Sequence, residues 1–224
     1  MNVFTYLSKE AHKKGKELME IEIRQMLVHY GASLFQRSYS VGSSGNISVR
    51  LPDGSILATP TNSCLGSLDA DQLAKVTLEG EQISGDKMSK EIPFHLALYR
   101  ARPEVNAVVH LHSTYLTALS CRSDIDFNNA IRPFTPYFVM KVGNMPVIPY
   151  FKPGSHHLAT ALAERAHESN AFLLANHGPV VLGTSLTEAI NTMEELEETA
   201  RLFFILQHSP IRYLTEEEIM ELNS

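Results

Sequence analysis

The sequence predicts a single-domain α/β fold, and three observations carry that expectation. An apolar run, "NAVVHLHS" at 106–113, lies between two helical patterns, "SKEIPFHLALYRARP" before it and "STYLTALSC" after it. Such flanks make the run a central strand of a layered fold. A second apolar stretch, "NAFLLANHGPVVLG" at 170–183, reads as strand, tight turn, strand. The length, 224 residues, suits one sizeable core and is short for two ordinary domains.

The remaining elements follow in chain order. Ile23, Met26, Leu27, Tyr30 and Leu34 recur at helical spacing, so the first forty residues are mainly an amphipathic helix that ends near "SYSVGSSGN". In "NISVRLPDGSILATP" the apolar Ile47, Val49 and Leu51 alternate with polar neighbours, a Pro-Asp-Gly turn follows, and Ile56 to Thr59 complete a hairpin. "AKVTLEG" is a further short strand. Ser89 reads as the cap of a helix with Pro93 in its first turn and Arg102-Pro103 at its exit. Ser185 and Glu188 have capping-box spacing before a long helix carrying Ala189, Ile190, Met193, Leu196, Ala200 and Phe203. "TEEEIMELNS" is a short acidic helix or tail. No repeat, linker or boundary divides residues 1–224.

Composition excludes several function classes. Hydrophobic residues make up 44% and charged residues 20%, the range of ordinary globular chains. The net charge is −6, with acidic residues concentrated after position 187, so no basic stripe offers itself to nucleic acid. The amino terminus lacks the apolar centre of a signal peptide, and no apolar run approaches the ~20 residues needed to span a bilayer. A cytoplasmic protein without membrane partners is expected. Cys64 and Cys121 lack C-x-x-C spacing, which suggests reduced thiols rather than a disulfide framework or a cysteine zinc site.

Histidines carry the chemical signal. Strand side chains alternate faces, so His110 and His112 point the same way with α-carbons about 7 Å apart, within reach of one ion. An exposed strand face or a hydrogen-bonded core pair would give the same H-x-H pattern. His177, beside Gly178 and Pro179 at the tip of a buried strand pair, has little packing purpose there. Three neutral imidazoles leave a zinc ion an open position for substrate or water, as in catalytic sites; cobalt or manganese suits the same ligands. His29, His95, His156 and His157 compete for the ligand role, and the last two, near Gly154, read as solvated or helix-capping. Glu91 sits at a helix start, where the dipole favours an anion, although first-turn glutamates are common. The turns "GSSGN" (42–46), "TPTNS" (59–63) and "SKE" (89–91) together offer hydroxyls and amides for a phosphate cradle.

Taken in order, "SGNIS", "TPTNS", "SKE", "VVHLHS" and "NHG" resemble the class II aldolase and adducin head family, from about residue 20 to 208. Within it the chain is most similar to the 3-oxo-tetronate 4-phosphate decarboxylases, through "LATPTNSCLGSLD", "SGDKMSKE", "HLHSTYLTALSC", "RPFTPYFVMKVGN" and "ANHGPVVLG". The resemblance implies a three-layer α/β/α fold around a mainly antiparallel sheet, and a homotetramer with active sites between subunits. It implies His110, His112 and His177 as zinc ligands and Glu91 as the catalytic acid/base. Asn46, Thr61, Asn62, Ser89 and Lys90 would form the phosphate pocket. Compared with the family's L-fuculose-1-phosphate aldolase, Asn62 stands in place of a glycine and Lys90 in place of a serine. Tyr137 and Tyr213 are candidates for an interface contribution to the site, with core packing as the alternative.

The activity so implied is decarboxylation of a phosphorylated four-carbon acid sugar to dihydroxyacetone phosphate and CO2, through an enediolate chelated by the metal. A phosphosugar aldolase or epimerase, or a non-catalytic adducin-like binding module, are the alternatives. The intact H-x-H and N-H-G motifs weigh against the binding module.

Overall fold

Alternation along the strands decides which helices cover which face of the sheet. The structure, a computed structural model, describes the backbone of residues 3–223 and the side chains of residues 15–223. Helix α1 (Val3–Gln36) leads into the hairpin β1 (Asn46–Arg50) and β2 (Ile56–Ala58), then β3 (Ala74–Val76) and β4 (Gln82–Ser84). Helix α2 (Ile92–Ala101) precedes β5 (Ala107–His110), followed by α3 (Thr114–Ser120), α4 (Pro136–Lys141) and β6 (Val147–Ile148). The chain closes with α5 (His156–Arg165), β7 (Ala171–Leu174), β8 (Gly178–Gly183), α6 (Leu186–Leu206) and α7 (Glu216–Leu222).

The strands form one eight-stranded sheet in the order β4-β3-β2-β1-β5-β8-β7-β6, antiparallel except where β6 meets β7. Strand β5 therefore lies inside the sheet, between β1 and β8, as its flanks predicted. Ile47, Val109, Leu173 and Val181 face one way and pack with Leu27 and Leu34 of α1, Leu116 and Leu119 of α3, and Met193 and Leu196 of α6. Val108, Phe172, Val180 and Leu182 face the other way, against Phe94 and Leu98 of α2 and Leu158 and Leu162 of α5. Two apolar layers on opposite faces of one sheet make the three-layer α/β/α architecture. Each buried Val, Leu or Phe contributes about 1.5–3 kcal/mol by leaving water.

Several local expectations need correction. Helix α2 begins at Ile92 with Glu91 at its N-cap; Ser89 only accepts the Glu91 amide at 3.3 Å. Ser185 accepts the Glu188 amide, but Glu188 turns back to the amide and hydroxyl of Thr184, so the reciprocal bond of the capping box is missing. The complete box occurs at Thr215 and Glu218, starting α7. Met26, expected on the apolar stripe of α1, is exposed, while Leu27 and Leu34 are fully buried. The sequence reading passes over β4, α4, β6 and α5. Strand β4 exposes all three side chains and so shows no alternation, and β6 has only two residues.

Candidate active site

The end of β5 brings the histidines together. His110 is its last residue and pairs with Asn46 on β1 and Val180 on β8. The next position on β8 is Pro179, which has no N–H to donate, and the next on β1 is Gly45, with φ +80°. The ladder stops there, so His112 lies beyond the strand rather than on it. A β-carbon at Gly45 would come within 2.9 Å of the His110 carbonyl oxygen, so this close approach requires glycine.

The Pro179 carbonyl also orients His110. It accepts from Nδ1 at 2.8 Å, so the proton sits on Nδ1 and the Nε2 lone pair is free, the outer-sphere arrangement usual for a metal-binding imidazole. Nε2 of His112 lies 3.1 Å from that atom. His177 enters from the β7–β8 turn, directly after Asn176 at φ +55°, and its ring centroid is 4.7 and 4.8 Å from those of His110 and His112. Burial, reinforced by the neighbouring imidazoles, holds His110 well below its ordinary pKa. Burial and then His177 bring His112 down to about 4. Burial also lowers His177, against the pull of the Glu91 carboxylate. All three rings are neutral near pH 7, the ligating form.

Glu91 completes the cluster from the start of α2. It is 6% exposed, with Oε1 3.4 Å from His177 Nε2 and Oε2 3.7 Å from His110 Nε2. Asn46 Nδ2 donates to Oε2 at 2.7 Å, whereas Oε1 has no hydrogen-bond partner. One donor atom from each of Glu91, His110, His112 and His177 lies within 4.8 Å of all the others. Converging imidazole nitrogens and an unpartnered buried carboxylate oxygen fit a divalent cation.

Helix α3 clamps two of the histidine-bearing segments, and a buried glutamate anchors it. Ser120 Oγ accepts the His177 amide at 3.1 Å, and Ser120 O accepts the Asn176 amide at 2.8 Å. At the other end, next to His112, Ser113 Oγ and the amides of Tyr115 and Leu116 donate to Glu197 on α6, at 2.6, 2.8 and 2.9 Å. Glu197 is 8% exposed. Sequence reading missed it, although its position on the Ile190-Met193-Ala200 stripe, a carboxylate on an apolar face, was a usable signal. Glu197→Ala strands three donors at 1–3 kcal/mol each before relaxation. It should lower stability by about 3 kcal/mol and weaken metal retention; an unchanged melting temperature would remove the anchor role.

The cluster opens into a cavity of about 270 Å³, where Thr61, Asn62, Ser89 and Lys90 meet Ser43 and Ser44. All five residues expected to bind phosphate line it. Asn46, however, is 3% exposed with both ends of its amide engaged, by Glu91 and by His95. Asn62 adopts φ +58°, a region where glycine is the default and asparagine is well tolerated. Asn62 therefore keeps the turn and presents a carboxamide to the cavity. Gly154 backs the lysine segment, since a β-carbon there would meet the Lys90 carbonyl oxygen at 2.9 Å.

The other expected residues lie elsewhere. Tyr137 is 60% exposed at the start of α4, which rules out core packing for it. Tyr213 lies under the Arg132 guanidinium at 4.3 Å. Neither lines the cavity. His156 and His157 are exposed in the first turn of α5, which Ser155 caps. Cys64 and Cys121 are free thiols.

Residues 25–204 match the family described as Class II Aldolase and Adducin N-terminal domain. The chain belongs to the class II aldolase and adducin family. Among its relatives in that family, the 3-oxo-tetronate 4-phosphate decarboxylase of Escherichia coli O6:H1 (strain CFT073) is 61% identical, over 92% of this chain and 97% of the relative. The L-fuculose phosphate aldolase of Methanocaldococcus jannaschii is 40% identical, over 75% and 88%. The crystal structure of YgbL from Escherichia coli superposes with a TM-score of 0.91 at 59% identity, over 92% of this chain and all of that one. The mainly antiparallel sheet and its flanking helices are thus the class II aldolase fold.

Proposed function

We propose that this class II aldolase family member decarboxylates a 3-oxo-tetronate 4-phosphate to dihydroxyacetone phosphate and CO2. One observation carries the reading: a neutral three-histidine cluster with a buried glutamate opens on a cavity that holds a lysine, in a chain closer in sequence to a named decarboxylase than to a named aldolase. His110, His112 and His177 would hold the divalent cation, with zinc the default for such ligands and cobalt or manganese able to replace it. When bound, it supplies Lewis-acid stabilisation of the negative charge that develops on the substrate oxygens.

The chain's own residues do the rest. Thr61, Asn62 and Ser89 offer hydroxyl and amide donors to the phosphate, and Lys90 a positive charge to the carboxylate before cleavage or to the phosphate throughout. The C1–C2 bond breaks, CO2 leaves, and the electron pair spreads over C2, C3 and the ketone oxygen as an enediolate. Glu91, protonated at that point, delivers its proton to C2. Asn46 holds the other carboxylate oxygen of Glu91 and so keeps Oε1 turned toward the histidines.

Lys90 is exposed and its loss should leave folding intact. Lys90→Ser is expected to lower kcat/KM about 10- to 100-fold, the worth of one charge-assisted hydrogen bond. Steady-state kinetics with unchanged values would remove Lys90 from the site. The exposed Tyr137 suits a contribution to a neighbouring subunit's site in a homotetramer. No described helix is long and apolar enough to cross a membrane, which is compatible with a cytoplasmic enzyme.

The deciding experiment incubates the metal-loaded protein with 3-oxo-tetronate 4-phosphate, generated in place from the tetronate by a dehydrogenase and a kinase. Equal amounts of CO2 and dihydroxyacetone phosphate, abolished by chelator, are expected. If neither formed while metal stayed bound, the decarboxylase reading would fall, and ketose phosphates, cleaved without CO2 release, would be the next substrates.

A further inference from the structure

Behind Glu91 a run of hydrogen bonds continues into the core. Asn46 Nδ2 donates to Glu91 Oε2 at 2.7 Å, and Asn46 Oδ1 lies 2.6 Å from His95 Nε2. His95 Nδ1 is 2.7 Å from Ser48 Oγ, which is 2.9 Å from the Tyr99 hydroxyl. His95 and Ser48 are fully buried, and Tyr99 is 1% exposed. These groups sit among Phe94, Leu96 and Val108 of the apolar layer between α2 and the sheet.

Chemistry assigns a direction to every bond. Whether Glu91 is ionised or carries its reacting proton on Oε1, its Oε2 only accepts, so Asn46 must face it with its NH2 and face His95 with its oxygen. His95 therefore donates from Nε2. Burial pushes its pKa down to about 3, so the ring is neutral and its Nδ1 must accept, from the Ser48 hydroxyl. Ser48, having given its only proton to the ring, accepts from Tyr99.

On the reading of Glu91 as the acid/base, we infer that His95 is a positioning residue: its Nε2–H locks the Asn46 amide with its NH2 toward Glu91, which fixes the carboxylate by Oε2 and leaves Oε1 for the reaction. Buried polar groups of this kind often contribute less stability than well-packed apolar replacements. A purely structural polar cluster would also have no need to end on a carboxylate oxygen beside three histidines. Ser48 supports the same function one bond further back, by holding the His95 tautomer.

Two measurements test this. Imidazole nitrogen NMR of the metal-free protein, with His95 assigned by substitution, should show Nε2 protonated and Nδ1 bare. Protonated Nδ1 would overturn the inference whatever reaction the protein catalyses. In turnover assays, His95→Leu should lose about 10- to 100-fold in kcat through misplacement of Glu91, with metal content and KM nearly unchanged. His95→Gln, whose amide can donate from the place of Nε2, should recover most of that loss. Equal losses in both variants, or full turnover in His95→Leu, would also overturn it. Should His95→Leu fold poorly, Ser48→Ala serves: the ring stays, its tautomer is released, and kcat should fall in the same direction. If no variant or wild-type protein releases CO2, the decarboxylase reading fails alone, and the NMR result still decides the role of His95.

Discussion

Glu91→Gln is expected to reduce CO2 release about 10²- to 10⁴-fold, the usual contribution of a placed general acid, with metal content unchanged. Glutamine is isosteric, and its carbonyl oxygen can keep the hydrogen bond from Asn46 Nδ2 that now ends on Oε2. Its NH2 would then point toward the histidines, where Oε1 lies 3.4 Å from His177 Nε2. Packing at the start of α2 is preserved and the three imidazoles remain, so the folded, metal-loaded protein should survive with no acid to protonate C2. Single-turnover CO2 release measured beside metal analysis separates these effects. Wild-type turnover in Glu91→Gln would exclude Glu91 from proton transfer. Loss of metal together with turnover would make Glu91 chiefly a ligand.

His112→Ala is expected to remove the metal and, with it, turnover. Loss of an outer-sphere partner already weakens metal affinity by about 10- to 100-fold, so loss of a direct ligand should exceed that. The Lewis-acid contribution at stake is several kcal/mol, on the order of 10³-fold in rate. His112 is the informative choice because it is only partly buried beyond the end of β5, whereas His110 is fully buried against Phe94. Alanine at 110 would open a cavity in the core and confuse stability with chemistry; alanine at 112 should leave the melting temperature of the metal-free protein within a few degrees. Stoichiometric metal and normal turnover in His112→Ala would dissolve the proposed centre.

The two substitutions also show how unevenly the site was legible. H-x-H beside an apolar run and N-H-G at a turn were visible because histidine is seldom chosen merely to fill a core, so its presence in buried segments needed another explanation. Lys90 and Asn62 stood out as departures from the related aldolase. His95 looked like one histidine among several, although its place on the buried face with Ile92, Leu96 and Tyr99 marked it as internal. Glu197 looked like one acid in an acidic helix. Their roles depend on partners 49 and 84 positions away, Asn46 and Ser113, and periodicity within one helix carries no information about such partners.

The sequence by itself determined the class of fold, the central place of a strand within the 106–113 run, the helical segments on either side of it, and the residue types that converge on the site. Those follow from local propensities and from the period of apolar residues, which act within one element. Tertiary structure alone decided that β5 ends at His110 because Pro179 and Gly45 cannot extend the ladder, that His112 and His177 share the clamp of α3 and Glu197, and that Asn46 serves Glu91 rather than standing free in the cavity. These are contacts between distant segments, and their hydrogen bonds become obligatory only when folding removes the water that would otherwise satisfy each group.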